Sequence, residues 1–578
     1  MTLGIVSEEA SPRTSVVRFG PAWKKRTQGL NLLKVKGSFY EMGRQHGHLM
    51  SDEIRLGPIP YYRSFVEKIF GAERLGFAGP ALVRVLQRTV GARIAAKLPP
   101  FSLETIRGLA DGAGLSYASL LEGCTMPDSL LWAASRLMEL KAPGPAVIHR
   151  MSLGLGCTSA IAWGGATKDG KLLHARNFDY HGVACWPRTQ TVIFHEPDEG
   201  LRYASVAAAG VALGGVTAMN EAGLTLTVHQ HMFTDQARLG GTPIGVLGDE
   251  VMRKAKNLDD AARILASHTP ISCWTYLVTD GHRREVLCHE ESPDRTAPRR
   301  IGKSGETTFG YANVYLDREL GDTEVNLYPS YWRHNRGRHA RVNALLERGA
   351  QKGALDPASM GGILGDVGES GCRLHEAIAM VLTVGSVVFR PEDGAFWVGV
   401  GESPSSHGTF VPLSLAREDH AAELGSFRAS VPEHARRAFE HFRRAYVAYT
   451  DARDLDGARR EMGQACELEP AQSLYHATNG LLALAAGDAA AAAEKLGHAV
   501  RLGHTDEPRL AAFHLWRARA LDLLGARDDA KRSYRSALAL RNDAPVAAAA
   551  KKGLAKPFAT AAARRMQIDM SLADVMSP

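Results

Sequence analysis

The chain has 578 residues, too many for one compact core, so about two to four domains are expected. Hydrophobic residues make up 45% and charged residues 23%, a globular balance that argues against a disordered chain. The net charge of +7 comes from 69 basic and 62 acidic residues mixed along the chain, with no dense Lys/Arg run interleaved with aromatics, so nucleic acid is not an expected partner.

Residues 1–30 lack periodicity and read as a flexible leader without the apolar core of a signal peptide. No window of roughly 18 uninterrupted apolar residues occurs, so no membrane span is expected. The seven cysteines (Cys124, Cys157, Cys185, Cys273, Cys288, Cys372 and Cys466) are scattered and form no C-x-x-C pair. That usage predicts reduced thiols and a cytoplasmic location.

Residues 31–156 read as mostly helical. Asn31–Gly37 is a short strand, and Ser38 with Glu41 forms a capping-box pattern ahead of a helix. Helical spacing then continues, broken at Pro99-Pro100 and Gly112-Ala-Gly114. From Cys157 to about residue 427 the texture is strand-rich. Strands are expected at Thr191–Phe194, Tyr203–Ala207, Leu224–His229, Trp274–Thr279, Glu285–Cys288, Gly385–Arg390 and Ala395–Gly401, with helices near 245–268, 335–350 and 354–364. Segregated helices and strands predict an α+β domain.

Residues 428–560 turn Ala-rich and helical, and a pattern repeats there. Ala465, Ala499 and Ala537 close successive units at spacings of 34 and 38 residues, which resembles the tetratricopeptide (TPR) repeat and predicts a protein partner for this region. Residues 561–578 read as a tail.

The chemistry centres on Gly154-Leu155-Gly156-Cys157-Thr158-Ser159. Asp169-Gly170 between two apolar-rich runs signals a hairpin that returns Arg176 and Asp179 to Cys157. The residues alone leave three readings of Cys157: an inert buried thiol, an internal nucleophile served by a histidine, or a nucleophile exposed by cleavage after Gly156 whose freed α-amine serves as base.

Gly156-Cys157-Thr158-Ser159, Asp169-Gly170 and Arg176-Asn177-Phe178-Asp179 resemble the start of the mature chain in N-terminal-nucleophile (Ntn) hydrolases, nearest the choloylglycine hydrolase and penicillin acyltransferase (peptidase C45) group. Lys36–Gly47, Ala218–Leu226, Tyr311-Ala-Asn313, Arg338–Leu346 and Ser386–Pro391 extend the resemblance over about 34–415. It implies an αββα sandwich over 157–427, with 31–156 as the pro-segment. It further implies self-cleavage at Gly156–Cys157 and a Cys157 acyl-enzyme that hydrolyses or transfers a non-peptide amide acyl group, with no cofactor and no metal. The expected partner is a small-molecule amide or acyl donor.

By the same resemblance Arg176 and Asp179 orient the nucleophile and substrate, Asn313 donates to the oxyanion, and Arg338, crowded by Arg333, Arg336 and Arg341, is the late arginine. The 19-residue spacing from Cys157 to Arg176 is longer than usual for the bile-salt branch, and a longer hairpin absorbs it. Gln230 stands where the family often places an oxyanion asparagine, which marks a differently shaped pocket. Two rival classes remain. A metal-dependent hydrolase would use His229, His231 and Asp235 with His46 and His48, although no H-E-x-x-H occurs. A non-catalytic repeat scaffold would carry a degenerate Ntn domain.

Overall fold

The computed structural model describes residues 15–69, 78–139, 156–231, 234–326, 328–368 and 376–575. Gly154, Leu155 and Cys372 lie outside them.

Two sheets face each other. The ten-stranded sheet runs β1 (Val17–Phe19), β2 (Ala22–Thr27), β3 (Leu30–Gly37), β6 (Gln190–Pro197), β7 (Tyr203–Ala208), β8 (Thr217–Asn220), β9 (Leu224–Gln230), β10 (Trp274–Asp280), β11 (Glu285–Ser292) and β12 (Arg295–Ile301). The eight-stranded sheet runs β13 (Thr308–Tyr311), β4 (Gly156–Ala162), β5 (Leu173–Asp179), β14 (Thr383–Arg390), β15 (Ala395–Val400), β16 (Thr409–Ser414) and β17 (Asp419–His420), with β18 (Phe427–Arg428) paired to β16. Between them Leu32, Val192, Phe194 and Met219 of the first sheet pack on Val387, Phe389, Phe396 and Val398 of the second.

Helices cover the outer faces. Leu33, Val35 and Ile193 meet α1 (Phe39–Leu49), α2 (Ser51–Leu56) and α5 (Pro100–Ala113). Further helices of this first segment are α3 (Pro58–Ile69), α4 (Ala78–Ala95) and α6 (Tyr117–Glu139). The ten-stranded sheet also carries α7 (Ile244–Lys254) and α8 (Leu258–Ala266). On the other sheet Ala160, Ala162, Leu173 and Ala175 meet α9 (Pro329–Ala350) and α10 (Pro357–Leu364). The order of layers is therefore helix–sheet–sheet–helix. Helix α1 begins as its sequence indicates, with the Ser38 Oγ accepting from the Glu41 amide at 3.3 Å.

Two expectations are corrected. The leader is not loose through residue 30: β1 and β2 occupy Val17–Thr27 and pair onto β3. Ala-Trp-Lys-Lys-Arg-Thr hides its strand character because Lys24 and Lys25 place their ammonium groups on Glu53 and Asp419 while Ala22 is buried. The 31–156 segment carries a strand, β3, ahead of its helices. Its strand β3 lies inside the ten-stranded sheet, parallel to β6 from Asn31↔Thr191 to Gly37↔Pro197. And the expected tail folds: β19 (Ile568–Asp569) and β20 (Asp574–Val575) form a buried hairpin. Tyr328 donates to Asp569 at 3.2 Å and Ser330 donates to Asp574, which fixes the hairpin at the start of α9.

Beyond Glu433 the chain is helical to Ala555, in seven helices that each pack on the next. Small residues set the approach: a Cβ on Gly480 would lie 2.6 Å from Leu496. Phe439, Phe442, Leu474 and Leu481 belong to one apolar cluster with Tyr62, Trp186 and Leu247, so this region shares a core with the sheets.

Candidate active site

Cys157 is the second residue of β4, and β4 pairs antiparallel with β5 in the register Gly156↔Asp179, Cys157↔Phe178 and Ser159↔Arg176. The expected hairpin is present, but its connection spans 163–172 and includes a 3₁₀ turn at Gly164–Ala166, so Asp169-Gly170 is only its closing part. Gly170 has φ +74°, the left-handed region that suits glycine.

Alternation along these strands sends side chains to opposite faces. Cys157 and Arg176 point between the sheets. The Arg176 Nη2 donates to Cys157 Sγ at 3.3 Å and to the Val228 carbonyl at 2.8 Å, and Nη1 donates to Thr217 Oγ1 at 2.7 Å. Thr158 and Asp179 point to the helical face, where α9 presents Arg338. The Arg338 Nη1 donates to the Cys157 carbonyl at 2.9 Å and to Thr158 Oγ1 at 2.8 Å. Its Nη2 donates to Asn335 Oδ1 at 2.8 Å and Asn313 Oδ1 at 3.3 Å. The Asp179 Oδ2 lies 3.9 Å from Arg338, while Asp179 Oδ1 accepts from Thr383 at 2.6 Å. Two buried guanidiniums thus approach the cysteine from opposite faces, against one carboxylate.

Asn313 sits just past β13 with φ +48°. Its Oδ1 accepts the Cys157 amide N–H at 2.6 Å, and its Nδ2 donates to the Gln230 carbonyl at 2.8 Å. Two donors, Cys157 N and Arg338, meet one oxygen, which fixes the orientation of the amide. The sequence predicts an oxyanion donor; the structure has Asn313 Oδ1 accepting from the backbone nitrogen of the cysteine. Gln230 lines the same cavity as Cys157.

The other arginines near Arg338 are engaged elsewhere or exposed. Arg333 pairs with Asp506 at 2.9 Å and with Asp543, Arg341 pairs with Asp366 at 2.9 Å, and Arg336 is exposed. Asn335, one turn before Arg338 on α9, Thr217 and Thr383 complete the site and were not foreseen. Of these only Asn335 carried a signal, its i,i+3 spacing from Arg338.

Burial pushes the Cys157 thiol up; Arg176 pulls it down, Asp179 pushes it up further, and Arg338 pulls it down. Burial also raises Asp179, with Arg338 the strongest influence holding it down. Asp179 Oδ2 has no hydrogen-bond partner. It lies beside Gly156, where a Cβ would be 3.2 Å from that oxygen and 2.9 Å from Arg338 Nη2. Glycine is thus the residue that fits ahead of the cysteine.

Among the described residues no histidine hydrogen-bonds to Cys157 Sγ. The His229 Nε2 is bonded to Ser159 Oγ at 3.0 Å, and His231 lies between Glu324 and Thr275, at 3.0 and 2.9 Å. His46 Nε2 accepts from the Gly210 amide at 3.0 Å in the outer helical layer. Among the described residues no three acidic, histidine or cysteine side chains gather as a ligand set.

The thiol opens onto a cavity of about 150 Å³. Phe178, Tyr180, Trp186, Val228 and Trp274 of the sheet domain line it, together with Ile59, Tyr62, Gly123 and Met126 of α3 and α6.

Residues 166–404 match the family model described as acyl-coenzyme A:6-aminopenicillanic acid acyl-transferase. The match begins after Cys157 and includes Arg176, Asp179, Gln230, Asn313 and Arg338. The matched stretch is less than half of this chain and lies in its sheet-rich part, so it stands as a similarity to that acyltransferase family. An uncharacterized protein of Archaeoglobus fulgidus is 27% identical over 283 residues, which is 48% of this chain and 44% of that protein, less than half the relative's length. A solved structure, the Caenorhabditis elegans N-acylethanolamine-hydrolyzing acid amidase ortholog, aligns with 14% identity and TM-score 0.29 over 41% of this chain and 93% of that one.

Proposed function

We propose that the chain is a self-processing N-terminal-cysteine amidohydrolase or acyltransferase, cleaving between Gly156 and Cys157 and then working through a Cys157 acyl-enzyme. The observation that carries this reading is that three groups of one residue are each held: the Cys157 thiol by Arg176, its amide nitrogen by Asn313 and its carbonyl by Arg338. An inert core thiol requires no such set.

In processing, Cys157 Sγ attacks the Gly156 carbonyl. The amide nitrogen leaves as an amine, a thioester forms, and water releases the Gly156 carboxylate. Asn313 Oδ1 already accepts from that nitrogen, and the unpartnered Asp179 Oδ2 is a ready acceptor for the added protons. In the mature site the α-amine, with an ordinary pKa near ~8, takes the thiol proton as the sulfur attacks the substrate carbonyl. Its proximity fills the place that no described histidine occupies. Arg176 favours the thiolate. The second N–H of Asn313 Nδ2 and the Gln230 amide are the proposed oxyanion donors, a role in which one lost donor typically costs about 10²–10³ in rate. Water completes hydrolysis; an amine completes transfer. The apolar lining of the cavity favours an apolar acyl group.

Seven successive helices after Glu433 support a TPR-like partner-binding module as part of the same proposal. The six described cysteines are all unpaired, as a cytoplasmic chain would keep them.

The test is mass spectrometry with N-terminal sequencing of the purified chain. The expected result is a fragment beginning at Cys157 in the wild type, absent from Cys157→Ala, with activity that persists in chelator. Intact 62.4 kDa chain in both would refute self-processing.

A further inference from the structure

The cavity beside Cys157 has a neighbour. A second cavity of about 340 Å³ lies between α3 and α6, and the two share Ile59, Tyr62, Gly123 and Met126 as lining residues. The shared residues therefore form the partition between the two cavities. Beyond it the lining combines apolar Ile54, Leu115 and Leu120 with polar Gln87, Ser119 and Glu122.

The members of this partition differ in freedom. Tyr62 is fixed: its hydroxyl donates to the His181 carbonyl at 3.1 Å and accepts from Trp186 Nε1 at 3.0 Å, and its ring stands edge-on to Tyr180 at 5.1 Å. Gly123 has no side chain, and a Cβ there would lie 2.9 Å from Ile59 Cγ2 and 3.0 Å from Ile59 Cδ1. Ile59 thus fills the space that Gly123 leaves open, and it is a half-buried aliphatic with no polar tie. Among the described residues, Met126 is the one other unfixed side chain shared by both cavities.

Resting on the acyl-enzyme reading above, we propose that Ile59, seated against Gly123, is the end wall of the acyl chamber and sets the length of straight-chain acyl group that Cys157 accepts. The second cavity is the space a longer apolar chain enters once that wall is removed. Both wall residues lie in the segment before Gly156, so chain-length selection is exercised by one side of the proposed cut and chemistry by the other.

The test uses full-length protein and p-nitrophenyl esters of straight-chain acids from acetyl to palmitoyl. Cys157 acylation is read by intact mass and the p-nitrophenolate burst. Wild type is expected to show a sharp fall beyond a limiting chain length. Ile59→Ala should move that limit to longer chains, gaining about fourfold per additional methylene that finds apolar room, so that its ratio of long-chain to short-chain rate rises above that of the wild type. Gly123→Ala, whose new methyl presses on Ile59, should gain no long chains. Coincident profiles for Ile59→Ala and wild type would overturn the wall. So would a long-chain gain in Gly123→Ala equal to that of Ile59→Ala, since general loosening of α3 against α6 would then be the cause. Absence of any acyl-enzyme in wild type at every length would instead refute the acyl-enzyme reading, and the wall with it.

Discussion

Replacing Arg338 by methionine keeps a long side chain and removes the charge at the best-connected point of the site. The guanidinium is fully buried and donates to the Cys157 carbonyl, Thr158, Asn313 and Asn335 at 2.8–3.3 Å. It is also the strongest counterweight to the burial of Asp179. Removing one partner of a buried pair costs about 3–5 kcal/mol, a large share of a net stability of about 5–15 kcal/mol. Without Arg338, Asp179 is driven further toward the neutral acid. Its folded pKa is then raised, so the stability it contributes is present at low pH and lost as pH rises through that value. Arg338→Met is therefore expected to lose about 3–5 kcal/mol at neutral pH. Adding Asp179→Asn should recover part of it, on the order of 1–3 kcal/mol, because a neutral amide replaces the stranded carboxyl. Neither variant should yield a fragment beginning at Cys157. The assay is urea unfolding by tryptophan fluorescence, with intact mass for processing. A loss below about 1 kcal/mol, as for an exposed pair, together with normal processing, would refute the reasoning.

Gly156→Ala should place a methyl against Arg338 and Asp179 and displace the scissile carbonyl, slowing fragment formation by roughly 10²-fold; a time course by mass spectrometry checks this, and wild-type kinetics would count against it. Asp128 in α6 is fully buried, accepts from the Ile244 amide at the start of α7 at 3.3 Å, and has its carboxyl pushed up to about 7 by burial. The sign follows: a raised acid stabilises the fold below its unfolded pKa and loses that contribution as pH rises through about 7. Stability should accordingly decline over that window, and Asp128→Asn should flatten the decline in thermal melts taken across it.

Local patterns made much of the domain readable. The β-branched and aromatic runs of β6, β9, β10 and β14, the break at Pro100 where α5 begins, and Gly114 ending α5 with φ +60° were visible because each depends on neighbours in sequence. Arg176 and Asp179 were legible because a hairpin needs only local chemistry. Asn313 and Arg338 were reached by resemblance, since no local rule sends a residue after β13 and one in the middle of α9 to the same cysteine. Thr217, Thr383 and Asn335 escaped because a polar side chain reveals its partner only through tertiary contact. The same limit hid the cavity wall: Ile59 and Met126 read as ordinary apolar positions of amphipathic helices. Strand β2 escaped for a different reason, since its lysines look like surface until Glu53 and Asp419 are placed beside them.

The position of β3 has a consequence for how the protein can be made and lost. Seven consecutive residue pairs hold it to β6, with β2 on its other edge. A cut before Cys157 therefore leaves a nicked molecule that migrates as one species under native conditions and as two under denaturing ones. Folding of the uncut chain is unimolecular, because β3 and β6 are tethered through the segment that joins them. Once the tether is cut, reassembly after unfolding becomes bimolecular and dependent on concentration. Processing would thus convert a reversible folder into a molecule whose native state is kept mainly by the height of its unfolding barrier. Refolding yield of denatured processed protein should fall on dilution, whereas that of Cys157→Ala should not.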